Sequence, residues 1–186
     1  LMTIRPFRTP HHNISMPAMI GGGARVKPGE VSLSHNGVLF LDELPEFQRP
    51  TLEALRQPLE DGFVTITRVS GQSRYLSGCM LVAGMNPCPC GFFGSKKKPC
   101  TCSASEIKRY LSKISGPLLD RIDMQIEMDA VSVEEIENAR EQEDSATVRA
   151  RVLKARKLQQ ERYHGLNIFC NAQLHQEGME QFCTMT

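Results

Sequence analysis

The sequence predicts an α/β fold, a parallel-sheet core followed by an all-helical segment, and three observations carry that prediction. Val38 to Leu41 is a run of four apolar residues closed by Asp42-Glu43, the pattern of a strand buried on both faces of a parallel sheet. Met80 to Ala83 is a second such run, ending at Gly84-Met85-Asn86-Pro87. Near Ala130 the composition changes from Gly- and Pro-punctuated to strongly helical, which divides the chain into residues 1–130, α/β, and residues 131–186, helical.

The elements follow in order. The first 36 residues, broken by Pro6, Pro10, Pro17, Gly21 to Gly23 and Pro28-Gly29, read as loops and short hairpins. After the first apolar strand, Leu52, Leu55 and Leu59 fall at helical spacing between Pro50 and Asp61-Gly62, with Pro58 shortening or kinking the helix. Phe63 to Arg68 alternates, Gly71-Gln-Ser73 turns, and Arg74 to Val82 returns, a hairpin leading into the second buried strand. Ser132-Val-Glu-Glu135 is a capping box opening a helix to about Glu143. A last helix is expected from about Ser145 to Tyr163, with Val148, Val152, Ala155 and Leu158 on one face and six Arg or Lys residues filling much of the rest. A solvated helix explains that charge better than a nucleic-acid surface.

Bulk properties exclude more than they assign. Twenty-two basic against 21 acidic residues give a net charge of +1, so no global field argues for nucleic acid and any basic surface is local. No apolar stretch approaches the roughly 20 residues of a membrane span, and there is no signal-peptide core, so a cytoplasmic protein without a membrane partner is expected. Seven cysteines, an odd number with four clustered, fit metal binding in a reducing compartment better than a disulfide framework.

The chemistry concentrates in three places. Gly37-Val-Leu-Phe-Leu-Asp-Glu-Leu-Pro-Glu46 has the form of a Walker B strand, in which the aspartate holds magnesium through water and the glutamate deprotonates the attacking water. Asp42 and Glu43 are the candidates, and a buried strand followed by a polar turn is the alternative. Asn86 would stand beside them if the two strands are neighbours, either holding that water or opening an Asn-Pro turn. Arg121, in Ser115-Gly-Pro-Leu-Leu-Asp-Arg-Ile-Asp123, suits a γ-phosphate contact or an intrachain pair with Asp120 or Asp123. Cys88-Pro-Cys90 and Cys100-Thr-Cys102, nine residues apart, supply four thiolates for one Zn²⁺, with Lys96, Lys97 and Lys98 nearby to favour the thiolate form. The Cys-x-Cys spacing is tighter than usual for one metal; free thiols or two disulfides also fit. His11 and His12 are adjacent, and such pairs rarely chelate together.

These segments, with Arg5-Pro-Phe-Arg-Thr-Pro-His-His12, Leu55-Arg-Gln-Pro-Leu-Glu60 and Asn86-Pro-Cys-Pro-Cys-Gly91, resemble in wording and order the bacterial magnesium-chelatase-like AAA+ family, within it the ComM (YifB) branch. The resemblance runs to about Tyr163. It implies a partial P-loop NTPase core with a parallel sheet, a β-hairpin insertion and the start of an α-helical lid. It also implies a hexameric ring in which Mg-ATP hydrolysis drives DNA branch migration, with Asn86 as first sensor and Arg121 as a finger acting on a neighbouring subunit. The Phe63 to Leu81 hairpin would point toward the pore, where Arg68 and Arg74, and from the cysteine loop Lys96 to Lys98, could meet DNA phosphates; solvated charges are the alternative.

One departure from the family pattern limits this. No Gly-x-x-x-x-Gly-Lys-Ser/Thr occurs in the 186 residues, so the phosphate-cradling loop is expected upstream and the second sensor downstream. A fragment inactive alone is the expectation. A magnesium chelatase subunit acting on a partner protein and a non-catalytic zinc-containing binding module are the competing functions.

Overall fold

A computed structural model describes residues 4–23, 26–69, 71–128, 131, 143–166, 168–174 and 176–183. The chain divides into two compact units, Leu1–Met128 and Asp129–Thr186.

The first unit is built on a three-stranded parallel sheet, with β1 (Phe7–Arg8) and β7 (Met80–Ala83) flanking the central β4 (Val38–Leu41). Gly37 permits the β1 pairing, because a Cβ there would lie 1.9 Å from the Pro6 carbonyl oxygen, which accepts the Val38 N–H at 2.9 Å. Leu39 and Leu41 are fully buried and join Met19, Val31, Leu44, Phe47, Leu52, Leu55, Ile114 and Leu118 in one core. Each such leucine contributes about 1.5–3 kcal/mol of burial.

The expectation of strands buried on both faces is corrected here. Val38 and Phe40 are half-buried, while Met80 and Val82 are 63% and 40% exposed. Among the described residues the helices pack the Leu39–Leu41 face of the sheet and leave the other face open.

The first 36 residues are also more structured than their punctuation suggests. They contain helices α1 (Met16–Ile20) and α2 (Glu30–Leu33) besides the expected short hairpin of β2 (Gly21–Gly22) with β3 (Lys27–Pro28). Ser15 caps α1, and Pro17 sits in its first turn, where a missing N–H costs nothing. The helix expected around Leu52 is two helices, α3 (Arg49–Glu53) and α4 (Arg56–Asp61), broken at Ala54-Leu55; Pro58 lies in the first turn of the second. Leu52 and Leu55 reach the core as their spacing predicts, and Leu59 packs against it.

In the hairpin of β5 (Phe63–Arg68) and β6 (Gly71–Leu76), Arg68 pairs with Gly71. The Gly71-Gln-Ser73 segment expected to form the turn therefore belongs to the second strand. Helix α5 (Ala104–Leu111), which the sequence reading omits, opens on a complete capping box of Ser103 and Glu106. Short α6 (Gly116–Leu119) follows, capped by Ser115.

In the second unit, the expected last helix spans Ser145–Arg162 and begins at the Asp144 cap. None of its residues is buried, so the stripe of Val148, Val152, Ala155 and Leu158 has no cover among the described residues. Order around its end comes instead from Tyr163, 2% exposed, whose hydroxyl donates to Asn171 Oδ1 at 2.8 Å and whose ring meets Phe182 edge-on. The Ser132–Glu135 capping box lies outside the described residues. Among the described residues no helix is long and apolar enough to cross a membrane.

Candidate functional site

Parallel strands end on the same side of a sheet, so the loops after β1, β4 and β7 converge at its carboxyl edge. The first loop brings His12, the second Asp42 and Glu43, the third Gly84 to Asn86. Arg8, the last residue of β1, anchors the first loop through a two-pronged pair with Glu30, at 2.6 and 2.7 Å, and that carboxylate raises the Arg8 pKa.

Asp42 leaves β4 exposed and lies against Gly84, where a Cβ would stand 3.0 Å from its Oδ1. The same oxygen accepts the Glu43 backbone N–H at 2.9 Å. Glu43 is left-handed, with φ 53° and ψ 46°, a conformation that costs a non-glycine residue about 1–2 kcal/mol. Its neighbours hold it there: the Leu44 N–H donates to the Gly84 carbonyl at 2.9 Å, and a 3₁₀ turn over Leu44–Glu46 follows. The carboxylate is 57% exposed, with Oε2 lying 3.1 Å from His12 Nδ1. The two carboxylates thus stand exposed side by side at the sheet edge, beside Gly84.

Asn86 is exposed, two residues beyond Gly84. Its backbone lies close enough to the Tyr110 hydroxyl, on α5, to influence that group's ionisation. Burial, then the charge of Glu46, raise the Tyr110 pKa, and the nearby Asn86 backbone opposes them. Lys113 Nζ pairs with Glu46 at 3.3 Å, which fastens the segment just after α5 to the carboxylate loop. Sequence reasoning missed Tyr110, although Ser103-Ala-Ser-Glu106 followed by Ile107, Tyr110 and Ile114 is a readable helix signal.

Arg121 pairs with Glu60, and its Nη1 donates to the Pro117 carbonyl at 3.0 Å. Neither Asp120 nor Asp123 is its partner. Arg68 and Arg74 fall on opposite faces of their hairpin, since Arg74 is in register with Thr65 while Arg68 follows the buried Val64 and Ile66. Arg74 stacks its guanidinium 3.4 Å from the centre of the Phe63 ring. The two arginines do not form one patch.

The four cysteines do come together. Cys88, Cys90, Cys100 and Cys102 are free thiols whose sulfurs all lie within 4.8 Å of one another. Three separations are 3.4, 3.7 and 3.6 Å. Four thiolates at about 2.3 Å from one tetrahedral Zn²⁺ stand about 3.8 Å apart, so the set fits a single metal despite the Cys-x-Cys spacing. The Phe93 N–H donates to Cys88 Sγ at 3.3 Å. Backbone N–H groups of Phe92 and Thr101 hold the Cys90 pKa down at about 5, while burial and the neighbouring cysteines push Cys102 up to about 12. The Cys90 thiolate is thus favoured chiefly by backbone amides, where the sequence pointed to the lysines. Lys96 to Lys98 are exposed, and Lys98 lies 4.7 Å from the centre of the Phe92 ring.

Known proteins place this chain in a lineage. Residues 1–136 match the family described as magnesium chelatase, subunit ChlI, and residues 142–186 match its C-terminal part, beyond where the motif wording becomes indistinct. The chain is 48% identical to the competence protein ComM of Haemophilus influenzae over 90% of its length and 33% of that protein's. It is 45% identical to YifB of Escherichia coli over 97% of its length and 35% of that protein's. A Mycobacterium tuberculosis protein, Rv2897c, is 41% identical over 94% of the chain and 34% of its own length. The chain therefore spans about a third of the length of these curated relatives. It belongs to the AAA+ family of the magnesium chelatase subunit ChlI, in the branch of the ComM and YifB proteins.

Proposed function

We propose that this chain carries the water-activating half of an ATP-hydrolysing site in a ring-forming AAA+ protein that works on DNA. The observation that supports this reading is the convergence of Asp42, Glu43 and the Gly84–Asn86 loop at one sheet edge, with Glu43 held in a strained backbone conformation. Asp42 holds the magnesium of Mg-ATP through water, Glu43 takes the proton of the attacking water, and Asn86 orients that water. Arg121 exchanges Glu60 for the γ-phosphate bound by a neighbouring copy in a hexamer. The four cysteines hold a structural Zn²⁺, and Lys96 to Lys98, Arg68 and Arg74 are the DNA-facing charges. The name of the Haemophilus influenzae relative, a competence protein, supports DNA as the partner. Residues 1–130 serve as the partial core and 131–186 as part of the lid. Without a phosphate loop these 186 residues alone bind ATP weakly and do not turn it over.

The test is ATP turnover by the full-length protein, wild type against Glu43→Gln, with and without branched DNA. Loss of a general base lowers turnover by about 10²–10⁴-fold, so DNA-stimulated hydrolysis should collapse in the variant. The family's description favours a second reading, a chelatase subunit driving a partner protein. Turnover indifferent to DNA and still lost in Glu43→Gln would move the assignment there.

A further inference from the structure

Beside the cysteine loop lies an apolar groove that the proposed function leaves unused. Phe93 faces Ala104, Ile107 and Leu111 of α5 across it, and Lys108 and Ser112 complete a lining around about 530 Å³. Phe93 is 53% exposed and Leu111 41%, so the groove is open among the described residues. Neither side of it hangs loose. The Phe93 N–H is tied to Cys88 Sγ, and the Ser95 N–H closes the turn onto the Phe92 carbonyl at 3.0 Å, with Gly91 and Gly94 supplying the positive φ. On the other side, α5 is fixed by its capping box and by the buried ring of Tyr110. Ala104, Ile107, Lys108 and Leu111 recur at helical spacing and so share one stripe of α5.

The charge around the groove has one sign. Lys108 is the charged group of its lining, exposed and without an ion-pair partner among the described residues. Lys96, Lys97 and Lys98 begin three positions after Phe93. Glu106, the acidic residue of α5, is occupied elsewhere, accepting the Ser103 N–H and hydroxyl at 2.8 Å each.

We propose that this groove docks an acidic segment of a partner protein carrying an apolar anchor. The anchor side chain fills the space between Phe93 and Leu111, and a carboxylate beside it pairs with Lys108. The apolar lining supplies most of the affinity, while the lysines select the sign of the partner and speed its encounter. The lining favours a peptide over a nucleic acid. A base brings polar edges that need partners, and the groove answers with one amine and one hydroxyl; it also offers a single aromatic ring for stacking. A leucine or phenylalanine side chain brings no such demand. The docking surface is separate from Asp42 and Glu43 and does not rest on their role.

The experiment titrates a fluorescein-labelled peptide, a run of aspartates ending in Leu-Phe, into the full-length protein and reads anisotropy. It needs no ATP turnover, so its outcome is independent of the proposed function. Wild type is compared with Leu111→Ser and Lys108→Glu, each checked for native circular dichroism. Binding should saturate in the micromolar range and weaken about 10-fold or more in Leu111→Ser. Lys108→Glu should cost about 3- to 10-fold, and a peptide with lysines in place of the aspartates should recover binding to that variant. Oligothymidylate, titrated in parallel, should bind Leu111→Ser as it binds wild type. No saturation by about 1 mM, equal binding of a peptide whose Leu-Phe is replaced by serines, or failure of the charge swap would overturn the proposal. Oligothymidylate binding lost in Leu111→Ser would make the groove a nucleic-acid surface instead. A fall in oligomer mass by light scattering in Leu111→Ser would make it an interface between copies of this chain, and either result also overturns the peptide assignment.

Discussion

Asp42 and Glu43 leave a strand whose Leu39 and Leu41 are fully buried, whereas Cys88 to Cys102 run through a stretch with neither strand nor helix between Ala83 and Ala104. Both sites belong to the first unit, and their side chains are held by opposite means. The carboxylates are placed by the core: three parallel strands, a glycine cradle and a fixed turn aim them before any ligand arrives. The thiols are placed by one another and by backbone amides, with Cys88 alone of the four fully buried. A site of the first kind keeps its geometry when its ligand is withdrawn, and a site of the second kind depends on its ligand for order.

The largest effect that distinguishes them is metal removal. Binding of Zn²⁺ to small thiolate sites is worth about 10–16 kcal/mol at neutral pH, far more than this loop's own contacts supply. Chelation, or Cys88→Ser, should therefore release the 88–102 loop to proteolysis while leaving the His12–Glu43 contact intact. Its pH dependence follows from the thiols. Cys90, at about 5, is ionised at neutral pH, whereas Cys102, at about 12, still carries a proton, and Cys100 is also raised. Binding must expel those protons, so affinity climbs with pH and falls as pH drops, most steeply once Cys90 also protonates. Metal retention measured between pH 8 and pH 4 checks the sign; retention that improves in acid would exclude the thiols as ligands.

The converse experiment breaks the sheet end and spares the loop. Leu41→Ala removes a fully buried side chain next to Asp42, and such truncations cost about 2–5 kcal/mol. Thermal unfolding should shift accordingly, and metal content per folded chain should stay at its original value. Metal lost in step with stability would mean that the core orders the loop as well, and the contrast between the sites would dissolve.

The sequence makes one of these sites more legible than the other, for the same physical reason. A strand ending in Asp42-Glu43 is a local pattern, and two similar apolar runs suggest a parallel sheet, whereas their being neighbours is shown only by the register of Val38–Leu41 with Met80–Ala83. What that pattern hides is which face is covered, because burial of Met80 and Val82 depends on elements far away in the chain. The four cysteines are equally plain as letters, yet their convergence depends on turns at Gly91 and Gly94, both with positive φ, that no periodicity announces. Arg121 shows the limit most clearly. Its neighbours in sequence offered two carboxylates, and the fold supplies a third, Glu60, from 61 positions away. The sequence offers His12 only as half of a poor chelating pair and does not single out Tyr110, for a related reason: each meets its neighbours from a loop on another strand.

Tyr110 is where the contrast between the sites is finest, because it touches both. Its hydroxyl lies near the Asn86 backbone, two residues before Cys88, and Glu46 and Glu43 lie close enough for their charge to act on it. Tyr110→Phe keeps the 8% exposed ring in place and removes only the hydroxyl beside Asn86, a change of at most about 1 kcal/mol. The expected stability change is therefore small. If the two sites are independently held, the variant should lose that increment with no change in metal affinity or in Glu43-dependent turnover. Should turnover fall together with metal affinity, Tyr110 would be the joint through which the cysteine loop sets the position of Asn86. The sheet end would then owe its final adjustment to the loop whose order comes from its ligand.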